Sequence, residues 1–469
     1  MDQVQIYIQK LFEQKQIAIS QGRRHLFDEF VKEEAHSKLV QQILNNQDTL
    51  MSQWGLKNRV TDIHQQSTPL PNGTVGKPYH TQIDFEKLGW NDFTSFEIEG
   101  LEAVGLIYDK ETRIISGTPI ESGDKPIKLK FKIKGEAHEA SLNEKKVSLV
   151  INPDPKTLWK NIPSNQEEVF WKEDNAVAFE KLGDKNLIVA SKRGRSHANT
   201  GGFREDDFAY KYFENTGWSI VAVADGAGSA KFSREGSRVA CQTVVDFWEQ
   251  NFSEVIAKGF DEVLSIYKQE GSVDNQKNLS QYIYNHLSKA AYAVHQALIE
   301  AANKAEASLK DFHSTLIFTL FKKYESGYAF LSFGVGDCPI AVLNKEVSEV
   351  HLLNWLDVGE FGGGTRFITM PEIFATDTLS TRIKFKWIDD FSYLMLMTDG
   401  IYDPKFVVEA NLEKIEQWKA FLNDLQGENE EKKGIDFSQR NSELAMQLSD
   451  WMDFWSPGNH DDRTLAIVF

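Results

Sequence analysis

The sequence predicts an α+β protein in three parts, and three shifts of character along its 469 residues carry that expectation. Residues 1–66 are polar, lack glycine-rich turns and place apolar residues at helical spacing. Residues 67–155 change to short β-type runs broken by turn residues, and from about 165 to 469 strands alternate irregularly with long helices. A chain of this length exceeds what one hydrophobic core organises, so two or three domains are expected.

In the first part, Val4, Ile8 and Leu11, then Leu26, Phe27, Phe30 and Val31, fall at helical intervals. The second part is punctuated by Leu70-Pro71-Asn72-Gly73, by Val75-Gly76-Lys77-Pro78-Tyr79 and by Thr112-Arg113-Ile114-Ile115-Ser116-Gly117-Thr118-Pro119, a spacing that suggests a small all-β sandwich. Residues 72–79 and 115–119 also resemble Ig-like, cadherin-like modules of bacterial proteins, over about 85 residues. Ile151-Asn152-Pro153-Asp154-Pro155-Lys156 is a stiff linker, because each proline fixes its own φ and restricts the residue before it. The boundary is placed there. In the third part Ala240, Val244, Phe247 and Trp248 share one helix face, and Ile283, Leu287, Ala291, Val294 and Leu298 share another. Residues 426–434 are charged and polar and read as a solvated loop.

The formal net charge is −17, with no basic run of the kind that tracks a phosphate backbone, so neither nucleic acid nor an anionic membrane is an expected partner. The first residues have neither a basic n-region nor an apolar h-region, and no stretch reaches the roughly 18 apolar residues of a bilayer span. A soluble cytoplasmic protein is expected. Cys241 and Cys338, the only cysteines, sit in apolar settings and read as buried free thiols, which leaves no zinc-cysteine site.

The chemistry concentrates in acidic groups beside apolar strands. Trp218-Ser219-Ile220-Val221-Ala222-Val223-Ala224 runs into Asp225-Gly226-Ala227-Gly228-Ser229; Tyr393-Leu394-Met395-Leu396-Met397-Thr398 runs into Asp399-Gly400; Asp461-Asp462 leads into Thr464-Leu465-Ala466-Ile467-Val468-Phe469; and Glu205-Asp206-Asp207 precedes Phe208-Ala209-Tyr210. A single strand-end Asp-Gly is also an ordinary turn. Four such groups offer a rigid set of carboxylates, the oxygen donors that magnesium and manganese choose, and histidines are too few nearby for a hydrolytic zinc site. Two such ions can acidify a water and neutralise charge developing on a phosphoryl group, so phosphate-ester hydrolysis is the reaction expected.

The order of these elements resembles the metal-dependent protein serine/threonine phosphatases, protein phosphatase type 2C, and their divergent bacterial branch. The matching elements are Gly194-Arg195-Ser196-His197 with Glu205-Asp206; Asp225 to Ala230 with Ser233, Glu235 and Gly236; His313-Ser314-Thr315-Leu316; Gly334-Val335-Gly336-Asp337; Thr398-Asp399-Gly400-Ile401-Tyr402-Asp403; and Asp461-Asp462-Arg463-Thr464. The resemblance implies an α-β-β-α sandwich of two antiparallel sheets flanked by helices, with two or more magnesium or manganese ions in a cleft at one end. It implies that Asp225 bridges both ions, that the Gly226 carbonyl binds the second, that Asp399 and Asp461 complete the first, and that Glu205 or Asp206 reaches the second. Asp311 and Asp403 then resemble ligands of a third, weaker ion. Arg195 resembles the phosphate-binding arginine, with Arg193 and Arg204 close enough to compete.

The chain departs from some members where a histidine two residues beyond the bridging aspartate serves as general acid; here that residue is Ala227. Water, or His197, would then supply the proton, with a structural hydrogen bond as the other role open to His197. Residues 360–366 resemble the flap over the cleft. Gly458-Asn459-His460-Asp461 also looks like an element of the calcineurin-like metallophosphoesterases, but only nine residues follow His460 and none is a histidine. The expected partners are a phosphorylated protein and a cognate serine/threonine kinase in bacterial signalling. The competing reading is an inactive phosphatase-like scaffold, and the β module would serve as an adaptor or a spacer.

Overall fold

The computed structural model describes residues 3–252, 254–357, 364–456 and 458–469. The protein is a mixed α+β structure that divides into two compact units, residues 1–158 and 159–469.

The first unit begins with helices α1 (Gln3–Gln14), α2 (Arg24–Lys32) and α3 (Glu34–Gln65). Val4, Ile8, Phe27, Val31 and Val40 form their small shared core. Strands β1 (Gly73–Thr74), β2 (Tyr79–Gln82), β3 (Phe93–Glu99), β4 (Leu106–Asp109), β5 (Ile114–Gly117), β6 (Gly123–Ile133) and β7 (Asn143–Asn152), with a one-turn helix α4 (Phe85–Leu88), build two sheets ordered β1-β7-β6-β3 and β2-β5-β4. In β6 only Ile127, Leu129, Phe131 and Ile133 are buried, every second residue, so one face meets the core and the other meets solvent. Helical and β stretches, separate in character along the sequence, belong to one unit. Ile63 of α3 lies in the β core, and the buried Lys145 ammonium of β7 donates to the carbonyls of Ile63 and Gln66 where α3 ends. A cation there satisfies carbonyls with no helical partner and complements the negative end of the helix. The proline-rich segment forms a one-turn helix α5 (Pro155–Leu158), after which the second unit begins.

The second unit contains strands β8 (Asn175–Leu182), β9 (Lys185–Lys192), β10 (Asp207–Phe213), β11 (Trp218–Ala224), β12 (Leu316–Tyr324), β13 (Gly327–Val335), β14 (Ile340–Asn344), β15 (Val350–Leu352), β16 (Ile383–Ile388), β17 (Phe391–Met397) and β18 (Arg463–Val468). Its helices are α6 (Arg195–Thr200), α7 (Ser233–Asn251), α8 (Glu254–Gln269), α9 (Val273–Lys304), α10 (Thr376–Thr381), α11 (Asp399–Phe406), α12 (Ile415–Leu425) and α13 (Glu443–Trp451). One sheet runs β10-β11-β12-β13-β16 and the other β15-β14-β17-β18-β9-β8, with antiparallel pairings throughout.

All seven residues of β11 are buried, and its two faces serve different cores. Ile220, Ala222 and Ala224 pack with α7, α8 and α9, while Val221 and Val223 pack with Val189, Leu394 and Val468 of the other sheet. The far face of that other sheet packs on α11, α12 and α13 through Trp418, Phe421, Leu448 and Trp451. A strand covered on both sides reads as a continuous apolar run rather than an alternating one. The helix faces expected from periodicity are inside: Ala240, Val244 and Trp248 of α7, and Ile283, Leu287, Ala291, Val294 and Leu298 of α9, are buried, with Phe247 partly so. Cys241 and Cys338 are buried free thiols.

Candidate metal centre

Antiparallel register brings the acidic groups to one end of the two sheets. Asp207 pairs with Ala224, so Glu205 and Asp206 enter β10 where β11 runs out into Asp225. Val223 pairs with Ile317 and Leu316 with Val335, which carries the start of β12 and the end of β13, and hence Asp337, to the same edge. In the second sheet Met397 pairs with Leu465 and Arg463 with Lys192, so Asp399, Asp461 and Gly194 meet at the corresponding edge.

One buried side chain joins the two edges. Asp206, which leads into β10, accepts hydrogen bonds on Oδ2 from Thr398 Oγ1 and Thr464 Oγ1 of the other sheet, each at 2.8 Å. Asp225 is anchored by its backbone: its N–H donates to Thr315 Oγ1 at 2.8 Å, and its carbonyl accepts from Thr315 N–H at 2.8 Å and Ser314 Oγ at 3.0 Å. Its carboxylate is left to face the other acids. Gly226 follows because there is no room for a side chain: a Cβ there would press on the carbonyls of Glu205 and Ser233. Gly194 and Gly400 do the same for residues 460–462, since a Cβ on either would overlap the backbone of Asp461 or Asp462.

The electrostatics are those of crowded like charges. Burial, then Asp206, Asp399, Asp461 and Asp337 push the Asp225 carboxyl well above the usual range; burial, then Asp461, Asp337, Asp206 and Asp403 do the same to Asp399. Burial and Asp462 push Asp206 up to about 8, and burial raises Glu205 to about 7 against the favourable charge of His197. Asp337, Asp403 and Asp461 are also raised, chiefly by burial. Glu205 Oε2, Asp206 Oδ1 and Asp399 Oδ1 are buried without a hydrogen-bond donor. Orphaned carboxylate oxygens beside mutually repelling acids suit a hard divalent cation, and the oxygen-only donor set suits magnesium or manganese.

Asp225, Gly226, Asp399, Asp461, Glu205 and Asp206 thus come together, with Asp461 and Asp403 at the exposed margin. Asp311 does not join them. Its Oδ2 accepts from Ser308 N–H at 2.9 Å and closes a capping box over Leu309–Phe312, so one of its two carboxylate oxygens serves the local turn. Asp337, an acid in the cluster that received no role from the sequence, accepts on Oδ2 from Thr365 Oγ1 at 2.8 Å. It carries the signal used elsewhere, an aspartate just beyond a wholly buried strand, and Gly336 before it adopts a φ of +106° where the Thr315 side chain leaves no space for a Cβ.

Arg195 donates from Nη1 to the Phe454 carbonyl at 2.9 Å and from Nη2 to the Asp453 carbonyl at 2.6 Å, bonds that use two of its five N–H donors and fix the guanidinium in place. Its competitors are similarly engaged: Arg193 with Gly202 and Asn161, and Arg204 with Glu173, Ser191 and Asp206. His197 donates from Nδ1 to Asp462 Oδ1 at 2.9 Å. Burial alone would lower its pKa, but Asp462, with Glu205 and Asp461, pushes it up to about 10. His460 lies between Trp159 and Trp455, with ring centroids 4.6 and 4.8 Å away. Of the expected flap, residues 360–363 lie outside the described residues. Among the described residues no helix is long and apolar enough to cross a membrane.

A family model described as protein phosphatase 2C matches residues 193–453, more than half of the chain. No curated protein matches the sequence. Solved structures similar to the chain include the catalytic domain of the serine/threonine protein phosphatase PstP in complex with two manganese ions, at 15% identity over 62% of this chain and 98% of that one, with a TM-score of 0.35. Stp1, a serine/threonine phosphatase from Staphylococcus aureus, is similar at 14% identity over 66% and 98%, with a TM-score of 0.32. A sex-determining protein of C. elegans is similar at 15% identity over 62% and 66%, with a TM-score of 0.35. The assignment of a family rests on the match over residues 193–453.

Proposed function

Because the chain belongs to the protein phosphatase 2C family, we propose that it hydrolyses phosphoserine and phosphothreonine in proteins with the help of two or more magnesium or manganese ions. The observation that carries this reading is the set of buried, donor-less oxygens on Glu205, Asp206 and Asp399 beside Asp225. An inactive scaffold has no need to keep that set, because clustered acids cost stability unless a cation offsets their repulsion. The two sheets with helices on their outer faces are read as the α-β-β-α sandwich of the family, and the β strands of the first unit as an Ig-like module that docks a partner.

Asp225, Gly226, Asp399 and Asp461 would hold the ions, with Glu205 or Asp206, with Asp337 and, at the margin, with Asp403. The chemistry such ions supply when bound is Lewis acidity, which polarises the phosphoryl group and acidifies water. The chain's own contribution is position: Thr315 fixes the Asp225 backbone, and Thr398 and Thr464 fix Asp206. Ala227 has no proton to give, so the departing serine or threonine oxygen would take its proton from water or from His197, whose ring is held by its Nδ1–H bond to Asp462.

Phosphate release from phosphothreonine, phosphoserine and phosphotyrosine peptides with added manganese tests the reading. Release from the first two and little from the third supports it; no release from any of them with either metal overturns it in favour of the scaffold.

A further inference from the structure

We propose that Asp462, together with His197, is the positioning pair of the metal centre: the buried Asp462 carboxylate fixes in one place the separate segments that present Glu205, Asp461 and Asp399. The inference rests on the proposed metal-dependent function and names residues that act through the ligands rather than on the substrate.

Asp462 is 2% exposed, and its carboxylate is surrounded by donors. Oδ1 accepts from the Gly194 N–H at 2.6 Å and from His197 Nδ1 at 2.9 Å, and Oδ2 accepts from the Glu205 N–H at 2.5 Å. Those three donors come from the turn after β9, from α6 and from the approach to β10, while Asp462 itself leads into β18. Its own N–H donates to Asp461 Oδ1 at 2.9 Å, which orients the neighbouring acid. Its carbonyl occupies the space a side chain at Gly400 would need, directly after Asp399. One residue therefore touches every segment that brings Glu205, Asp461 and Asp399 to the cluster.

A competing reading makes His197, Asp461 and Asp462 a metal site of their own, since one ligand atom from each lies within 4.8 Å of the others. The hydrogen bonds decide against it. Two backbone N–H groups and an imidazole N–H aim their positive ends at the Asp462 carboxylate, the reverse of the field a cation requires. This is the arrangement of an outer partner that orients ligands, and removing such partners typically weakens metal binding by about 10–100-fold.

Calorimetric titration of Mn2+ into the full chain, with thermal unfolding in parallel, tests the pair in Asp462→Asn, His197→Ala and His197→Gln. Asp462→Asn turns one acceptor into a donor facing another donor, and His197→Ala removes one bond while leaving those to Gly194 and Glu205. Both should remain folded and bind Mn2+ about 10–100-fold more weakly, and His197→Gln, whose amide can again donate to Asp462, should recover part of the loss. If the variants melt like the wild type and bind Mn2+ equally well, the positioning role is wrong. Should Asp462→Asn fail to fold, His197→Ala and its rescue by glutamine decide alone. A wild-type chain that binds no Mn2+ or Mg2+ overturns the proposed function and this inference with it, whereas wild-type binding with unweakened variants overturns only the inference.

Discussion

Asp225 and Thr315 exchange two hydrogen bonds, from the Asp225 N–H to Thr315 Oγ1 and from the Thr315 N–H to the Asp225 carbonyl, each 2.8 Å long. The pair holds the proposed bridging acid by its backbone and leaves its carboxylate for other partners. Thr315→Val keeps the shape of the buried side chain and strands the Asp225 N–H, which should cost about 1–3 kcal/mol of stability. Urea unfolding measures that loss; a variant as stable as the wild type would show that the bond does not contribute.

The crowded acids predict an unusual response to neutralisation. In the metal-free protein, Asp225→Asn relieves repulsion from Asp206, Asp399, Asp461 and Asp337, so it should raise stability by on the order of 1 kcal/mol. The same change should abolish the stabilisation by manganese, which for the wild type is about 2.7 kcal/mol at a concentration 100 times the Kd. Melting curves in chelator and in manganese give both effects. A less stable metal-free variant that still responds to manganese would contradict the prediction.

Close backbone approach predicts sharp intolerance at Gly400. An alanine there would drive its Cβ into the Asp462 carbonyl, whereas Gly22, where a Cβ would meet nothing within 4 Å, offers a matched control. Gly400→Ala should destabilise by about 1–3 kcal/mol or more and weaken metal binding, and Gly22→Ala should do neither. Equal stabilities of the two variants would count against the threading of residues 460–462 past Gly400.

Acid sensitivity is expected at the other end of β8 and β9. Burial would raise the Asp184 pKa, but hydrogen bonds from Lys323 Nζ at 2.7 Å and Tyr328 Oη at 2.6 Å overcome it and lower the value. A carboxyl with a depressed folded-state pKa contributes stability above its unfolded value, about 3.9, and loses it as pH falls through the folded value. The stability gap between wild type and Asp184→Asn should therefore narrow below about pH 4. A gap that stays constant between pH 7 and pH 3 would contradict the assignment.

The sequence reveals the outline of the site because its logic is local. Asp225 and Asp399 each follow an apolar run, and Asp461 and Asp462 precede one, so strand ends can be read without a fold. Asp337 follows the same rule beyond β13, yet a motif alone does not distinguish its role from that of its glycine neighbours. At Asp311 nearness along the chain to Ser314 and Thr315 hides a more local pattern: Ser308 three residues earlier makes it a capping residue. Asp462 cannot be separated from Asp461 by sequence, because which of two adjacent carboxylates turns inward depends on donors from Gly194, His197 and Glu205, more than 250 positions away. For the same reason the engagement of Arg195 with carbonyls of Asp453 and Phe454 is a tertiary fact. The helical segment and the β strands of the first unit look separate because the contacts that join them, Leu56, Val60 and Ile63 of α3 against the β core and Lys145 against the carbonyls where α3 ends, are tertiary: the helical spacing marks an apolar face without naming its partner.

The most direct measurement is phosphate release from a generic aryl phosphate by the full chain, with manganese, with chelator, and with Asp225→Asn in manganese. The account predicts turnover in the first case and a loss of at least about 100-fold in the other two, the scale expected when a group stabilising the transition-state charge is removed. Turnover that survives both chelation and Asp225→Asn, or no turnover under any divalent ion, would contradict it.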